Sequence, residues 1–88
     1  MKTWDEFREE LSIDPELEEE IRIEKELIRT MIEIREAQKL SQAELADKCH
    51  MKQPSIARLE RNSHSPRLDS ILRVLIPLGY TIQIVPKK

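Results

Sequence analysis

The chain has 88 residues, 36% charged and 39% hydrophobic, with net charge −2, one cysteine, and no apolar run approaching a membrane span of roughly 20 residues. These values exclude a wholly disordered chain, an internal disulfide framework and an array of several domains. What remains is one small domain with at most an appendage, and at this size self-association would help stabilise it.

In chain order, Thr3 and Glu6 have the spacing of a capping box, and Trp4, Phe7 and Leu11 follow at helical spacing. A short helix is therefore expected to run to about residue 11. After a break at 12–14, Asp14 can cap a second helix with Pro15 at its first position, where a missing N–H costs nothing. Leu17, Ile21, Leu27, Ile28, Met31, Ile32 and Ile34 carry that helix to about Gln38. Roughly 24 helical residues span about 36 Å, more than a bundle of this size needs. Its N-terminal half is expected to project or to pack on another chain.

Ser41 and Glu44 form a second capping box, opening a helix from Gln42 to Lys48 that turns Leu45 and Ala46 inward. A turn at Cys49, His50 and Met51 leads to another helix, beginning near Gln53 and burying Ile56 and Leu59. Two short helices joined this way match a helix-turn-helix. A polar loop at 62–65 precedes Pro66, which introduces a helix with Leu68, Ile71, Leu72 and Leu75 on its apolar face. Pro77 and Gly79 are expected to end it. Residues 80–85, Tyr-Thr-Ile-Gln-Ile-Val, alternate in β-branched fashion and read as a strand. The expected fold is mainly α: a helix-turn-helix bundle with an N-terminal helical extension and a C-terminal strand pairing across a dimer.

Charge divides the chain. Residues 1–36 hold 13 acidic and 6 basic side chains (−7); residues 37–88 hold 4 acidic and 9 basic ones (+5). The basic part suits a phosphate backbone and the acidic part a cationic surface, although a solvated helix would also explain the acidic run. The outward row Gln53, Pro54, Ser55 and Arg58 suits the DNA major groove, where the N-terminal residues of a helix lie nearest the base edges. Gln53 can pair with adenine, Arg58 can fork onto guanine, Ser55 can donate or accept, and Pro54 can touch a thymine methyl. Gln42, Lys52 and Arg61 lie at the margins, placed to hold phosphates. The alternative is the wetted face of a protein-interaction bundle.

Residues 28–79 resemble the helix-turn-helix domain of the Cro and lambda-repressor class, the XRE family. The resemblance rests on Leu40-Ser41-Gln42, Glu44-Leu45-Ala46, the helix from Gln53 to Glu60, Arg61, and Ser65-Pro66-Arg67-Leu68. His50 departs from it, because the family usually has glycine where this turn needs a left-handed backbone. Histidine tolerates that geometry better than branched residues do, at some cost in strain.

The acidic leader, this domain and the ending Gly79-Tyr-Thr-Ile-Gln-Ile-Val-Pro86 together resemble HigA-type antitoxins of bacterial type II toxin–antitoxin pairs. That resemblance implies binding to a basic RelE-like ribonuclease toxin of the HigB type and repression of the protein's own operon. Trp4, Phe7 and Leu11 would anchor the toxin contact, with Glu6 and Glu10 facing a cationic rim. The alternative is a leader folded back on its own bundle. The expected organisation is a partner-binding extension at 1–27, the DNA-binding domain at 28–79, and a dimerisation strand and tail at 80–88. In the strand, Tyr80, Ile82 and Ile84 would pair across a homodimer that reads an inverted repeat in double-stranded operator DNA. A plain XRE-family repressor without a toxin, such as one derived from a phage, is the competing reading.

Cys49 and His50 are adjacent and diverge, and only His64 could join them, so no zinc site is expected. No nucleophile is paired with a base, which points away from an enzyme, and no cofactor is expected. The N-terminus MKTWDEFREEL lacks the apolar core of a secretory signal, so the expected location is the cytoplasm, with no membrane association.

Overall fold

The computed structural model describes Thr3, Glu6 and residues 15–61 and 65–87. Four helices are present among the described residues: α1 (Pro15–Ala37), α2 (Gln42–Lys48), α3 (Gln53–Arg61) and α4 (Leu68–Leu78). α2 packs on α3, and α1 packs on both α3 and α4. The core between them contains Ile28, Met31, Leu45, Ala46, Cys49, Ile56, Ile71, Val74, Leu75 and Leu78, with Leu40, Met51 and Leu59 against its edge. Ile56 is fully buried at 0% exposure, at the centre of α3's inner face.

Local chemistry sets the helix ends. Ser41 caps α2 as expected: its hydroxyl accepts from the Glu44 N–H at 3.1 Å, while the Glu44 carboxylate accepts from the Ser41 N–H at 2.8 Å. The Ser41 backbone N–H, and then its hydroxyl, hold the Glu44 carboxyl below the usual glutamate value. The box is therefore complete above the ordinary glutamate pKa and opens as pH falls through the lowered one. The same reciprocal pairing joins Thr3 and Glu6, at 3.4 and 3.2 Å. The rest of the expected first helix lies outside the described residues.

α1, α2 and α4 all end in the same way. A residue at positive φ (Lys39 at 58°, His50 at 55°, Gly79 at 94°) donates its N–H to the carbonyl three residues back. The N–H that follows reaches five residues back: Leu40 to Arg35, Met51 to Ala46, Tyr80 to Leu75. These paired bonds satisfy helix-end carbonyls, and they require a left-handed residue that only Gly79 supplies without strain. The expected left-handed turn at His50 is present. His50→Gly should raise the unfolding free energy by about 0.5–1 kcal/mol, the relief of left-handed strain exceeding glycine's added chain entropy. The midpoint of urea unfolding measures this.

Some expectations need correction. Pro77 lies inside α4, and Gly79 ends the helix. Near the C-terminus proline forfeits one helical bond without stopping the last turn. Leu68 is 61% exposed, because it opens α4 beyond the edge of the core, whereas Val74 and Leu78 complete the inner face. α1 projects less freely than its length suggested. Ile21 is buried, and the Glu24 carboxylate takes a 2.7 Å hydrogen bond from the Ser65 hydroxyl. Residues 80–87 form no strand within the single chain. A lone strand has no ladder partner within one chain, so a strand here would require pairing from outside. This segment turns back toward α1, where Lys87 Nζ meets Glu19 Oε2 at 2.8 Å. That contact holds the Glu19 carboxyl below its usual value.

Candidate nucleic-acid interface

α3 has a dry side and a wet side. Ile56 and Leu59 fix its inner face; the helical repeat then turns Pro54, Arg58 and Arg61 outward, and Gln53 and Ser55 flank the buried stripe in the open first turn. All five are exposed, as is Lys52 just before the helix. The Lys52 carbonyl accepts the N–H groups of Ser55 and Ile56 at 2.9 and 3.3 Å, which seats the first turn. The outward row and its flanking cations are therefore contiguous on one surface.

Gln42, expected to hold a phosphate, is also tied into the protein. It is half-buried, and both ends of its amide are engaged. Its Nε2 donates to Glu60 Oε1 at 2.9 Å, and its Oε1 accepts from Gln53 Nε2 at 3.0 Å. Behind it, Arg35 of α1 forks onto Glu60, with Nε to Oε2 at 2.7 Å and Nη2 to Oε1 at 3.1 Å. The third arm of that guanidinium, Nη1, donates to the Leu40 carbonyl at 2.7 Å. A hydrogen-bonded chain thus runs from α1 through α3 and α2 to the first residue of α3. The Arg35 and Glu60 side chains are only 12% and 9% exposed, so the chain begins in a dry place and ends in a wet one.

Arg35 and Glu60 were not among the expected site residues. Each stands four residues after a buried position, Met31 and Ile56 respectively, which puts it at the rim of the core. A charge at that spacing needs a partner, and that was the available signal.

A second feature adjoins α3. Ser55 and Arg58 face Ser65, Arg67, Ser70 and Arg73 across a groove of about 330 Å³. Cys49 lies buried beneath α4, with its thiol 3.9 Å from the Val74 carbonyl, and burial pushes its pKa up. No group of three or more His, Cys, Asp or Glu among the described residues could hold a metal. No helix among them is long and apolar enough to cross a membrane.

Of the residues expected to touch a toxin, Trp4, Phe7, Glu10 and Leu11 lie outside the described residues. Glu6 is described, and it is exposed. Tyr80, Ile82 and Ile84, expected to mediate dimerisation, are all exposed.

Residues 31–85 match the helix-turn-helix family HTH_3. The chain belongs to that helix-turn-helix family. A relative described as an uncharacterized HTH-type transcriptional regulator, from Haemophilus influenzae (strain ATCC 51907 / DSM 11121 / KW20 / Rd), is 36% identical over 83 residues. That alignment covers 94% of this chain and 84% of the relative. Among solved structures, a chain of a toxin–antitoxin module from Streptococcus pneumoniae superposes with a TM-score of 0.70 and 34% identity. It covers 100% of this chain and 96% of that one. The helix-turn-helix match starts within α1, so residues 15–30 stand outside it. Family and relative make this a DNA-binding transcriptional regulator, not an enzyme.

Proposed function

We propose that this protein is a sequence-specific DNA-binding antitoxin of the HigA type. It represses its own operon from an inverted-repeat operator and neutralises a basic, RelE-like HigB-type ribonuclease toxin through direct contact in the cytoplasm. The observation that carries the DNA half is the hydrogen bond from Gln53 to Gln42 at 3.0 Å. A glutamine amide has two N–H groups and one carbonyl oxygen. Gln42 takes one N–H, leaving Gln53 one donor and one acceptor. Adenine asks for that pair at N7 and N6, whereas guanine presents two acceptors and would need both donors. Gln53 therefore reads adenine, and Arg58, with no such tether, reads guanine.

Arg58→Ala should cost about 1–3 kcal/mol on the operator and relax preference at one base pair. Lys52→Ala should weaken operator and random DNA alike and make the salt dependence shallower. Titration of both variants against operator and scrambled duplexes over a range of salt measures the difference. Unchanged affinity and base preference for Arg58→Ala would refute this docking.

The antitoxin half draws support from the likeness to the S. pneumoniae chain, which extends over the acidic leader and the C-terminal segment as well as the DNA-binding unit. Co-expression with the product of the adjacent gene should yield a complex, and deleting residues 1–13 should abolish both the complex and rescue of toxin-expressing cells. DNA binding should persist in that deletion. Full rescue by the shortened chain would move the toxin contact to α1 or the C-terminal segment. The description of the H. influenzae relative favours a second reading, a repressor without a toxin. Absence of any complex with the neighbouring product would favour that one.

A further inference from the structure

We propose that Glu24, on α1, is a positioning residue of the DNA-binding surface. It braces residues 65–67 so that the arginine-lined groove beside α3 receives a DNA backbone phosphate. The proposal rests on the DNA-binding reading and extends it to a residue outside the helix-turn-helix match, which begins at residue 31.

The brace is one short bond spanning 41 positions of sequence, from the Ser65 hydroxyl to Glu24 Oε1 at 2.7 Å. Glu24 is half-buried, and its other oxygen, Oε2, is buried without a hydrogen-bond partner among the described residues. A carboxylate oxygen left unsatisfied away from water is costly, so Glu24 is held there by something other than its own solvation. The described contact that holds it is Ser65. Pro66 follows, and its ring fixes φ, so an anchor at Ser65 also sets the course of the chain into Arg67. Arg67 stands immediately before α4 with extended backbone (φ −81°, ψ 141°) and is steadied by Asp69 at 3.2 Å.

The groove these residues border is built for an anion. Arg58 comes from α3, Arg67 from the braced segment and Arg73 from α4, with Ser55, Ser65 and Ser70 as hydroxyl neighbours. Arg58 belongs to the base-reading row, so a duplex seated on α3 lies against this groove, and the anion it offers there is a backbone phosphate. Freeing Ser65 would let Arg67 drift and would remove about one phosphate contact. Because phosphate contacts carry no sequence information, the loss should be the same on any duplex.

The experiment titrates the full-length chain against a random-sequence duplex over a range of salt. Ser65→Ala and Glu24→Ala are each expected to lower affinity ~3–10-fold near 0.1 M salt and to reduce the salt slope by about one. The double variant should lose no more than either single one, because both remove the same bond. Glu24→Gln keeps an acceptor for Ser65 and should retain the salt slope, which a role of the carboxylate in bulk electrostatics would not allow. Helix content by circular dichroism checks that the variants are folded, and Ser65→Ala tests the brace even where Glu24→Ala is unfolded. Wild-type affinity and slope in Ser65→Ala would overturn the brace, as would losses that add in the double variant. Failure of the unmodified chain to bind any duplex would instead overturn the DNA-binding reading itself.

Discussion

Glu60→Ala is expected to lower the unfolding free energy by about 3 kcal/mol, the range for breaking a largely desolvated ion pair from one side. Glu60 receives three donors: Nε and Nη2 of Arg35 and Nε2 of Gln42. Its removal strands the Arg35 guanidinium, 12% exposed, at the junction of α1 and α3. Small domains hold only about 5–15 kcal/mol of net stability. In a chain of this size the loss corresponds to a fall in Tm of roughly 12–24 °C. Thermal and urea unfolding measure it, and a loss under about 0.5 kcal/mol would show that the pair is solvated in solution.

The double variant Arg35→Met/Glu60→Leu separates stability from reading. Replacing both charges with apolar groups of similar volume is often neutral or stabilising, so the fold should recover. Gln42 would not recover, because its Nε2 loses the acceptor that fixes its orientation. Its amide could then turn and offer Gln53 an N–H in place of an oxygen. Adenine preference at the Gln53 position should fall while Arg58's guanine preference stays. A double variant as stable and as selective as the original would show that the chain behind Gln53 does not govern reading.

That network marks the boundary of what the sequence makes legible. Capping boxes at Ser41 and Thr3 and the inner faces of α2 and α3 follow from local rules acting within a few residues, whereas the left-handed turn at His50 is implied by the family resemblance. Part of the outward row of α3 follows locally too: burying Ile56 and Leu59 turns Pro54, Arg58 and Arg61 away from the core, whereas Gln53 and Ser55 flank the buried stripe and are exposed in the first turn. What stays hidden is pairing at long sequence separation. Arg35 with Glu60, Gln42 with Gln53, and Glu24 with Ser65 depend on how α1 lies across α3 and on the approach to α4, which no local periodicity specifies. Gln42 is the instructive case. Its place at a helix N-terminus suggested a phosphate contact, and nothing local announced that its half-buried amide also bonds Glu60 and Gln53. Lys39 shows the converse: a left-handed residue whose only local mark is the end of a helical repeat, with no glycine to announce it.

The unmodified chain is expected to sediment as a dimer at tens of micromolar, and Ile82→Pro to sediment as a monomer. Ile84 is 97% exposed, and Tyr80, Ile82 and Val85 join it in a run of apolar side chains that the single chain leaves largely uncovered. Ile76 on α4 is also exposed. A short run with β-branched side chains on both faces has the composition of a strand, and it lacks only a neighbour to complete a ladder. A second copy supplies one by antiparallel pairing across a twofold axis, in which each residue meets its symmetry mate's counterpart. The contact of Lys87 with Glu19 holds the end of the segment against α1, which limits the freedom that pairing would otherwise have to remove. The same axis would set two α3 helices in successive major grooves about 34 Å apart, which is why an inverted repeat is expected. Proline at position 82 removes one ladder donor and disfavours the central pairing. It should therefore cost operator affinity far more than affinity for a single half-site. The rival occupant is a strand of the toxin's own sheet; under that arrangement the free protein is a monomer and Ile82→Pro fails only in toxin neutralisation. A monomeric unmodified chain, or a dimer untouched by Ile82→Pro, would exclude the twofold pairing.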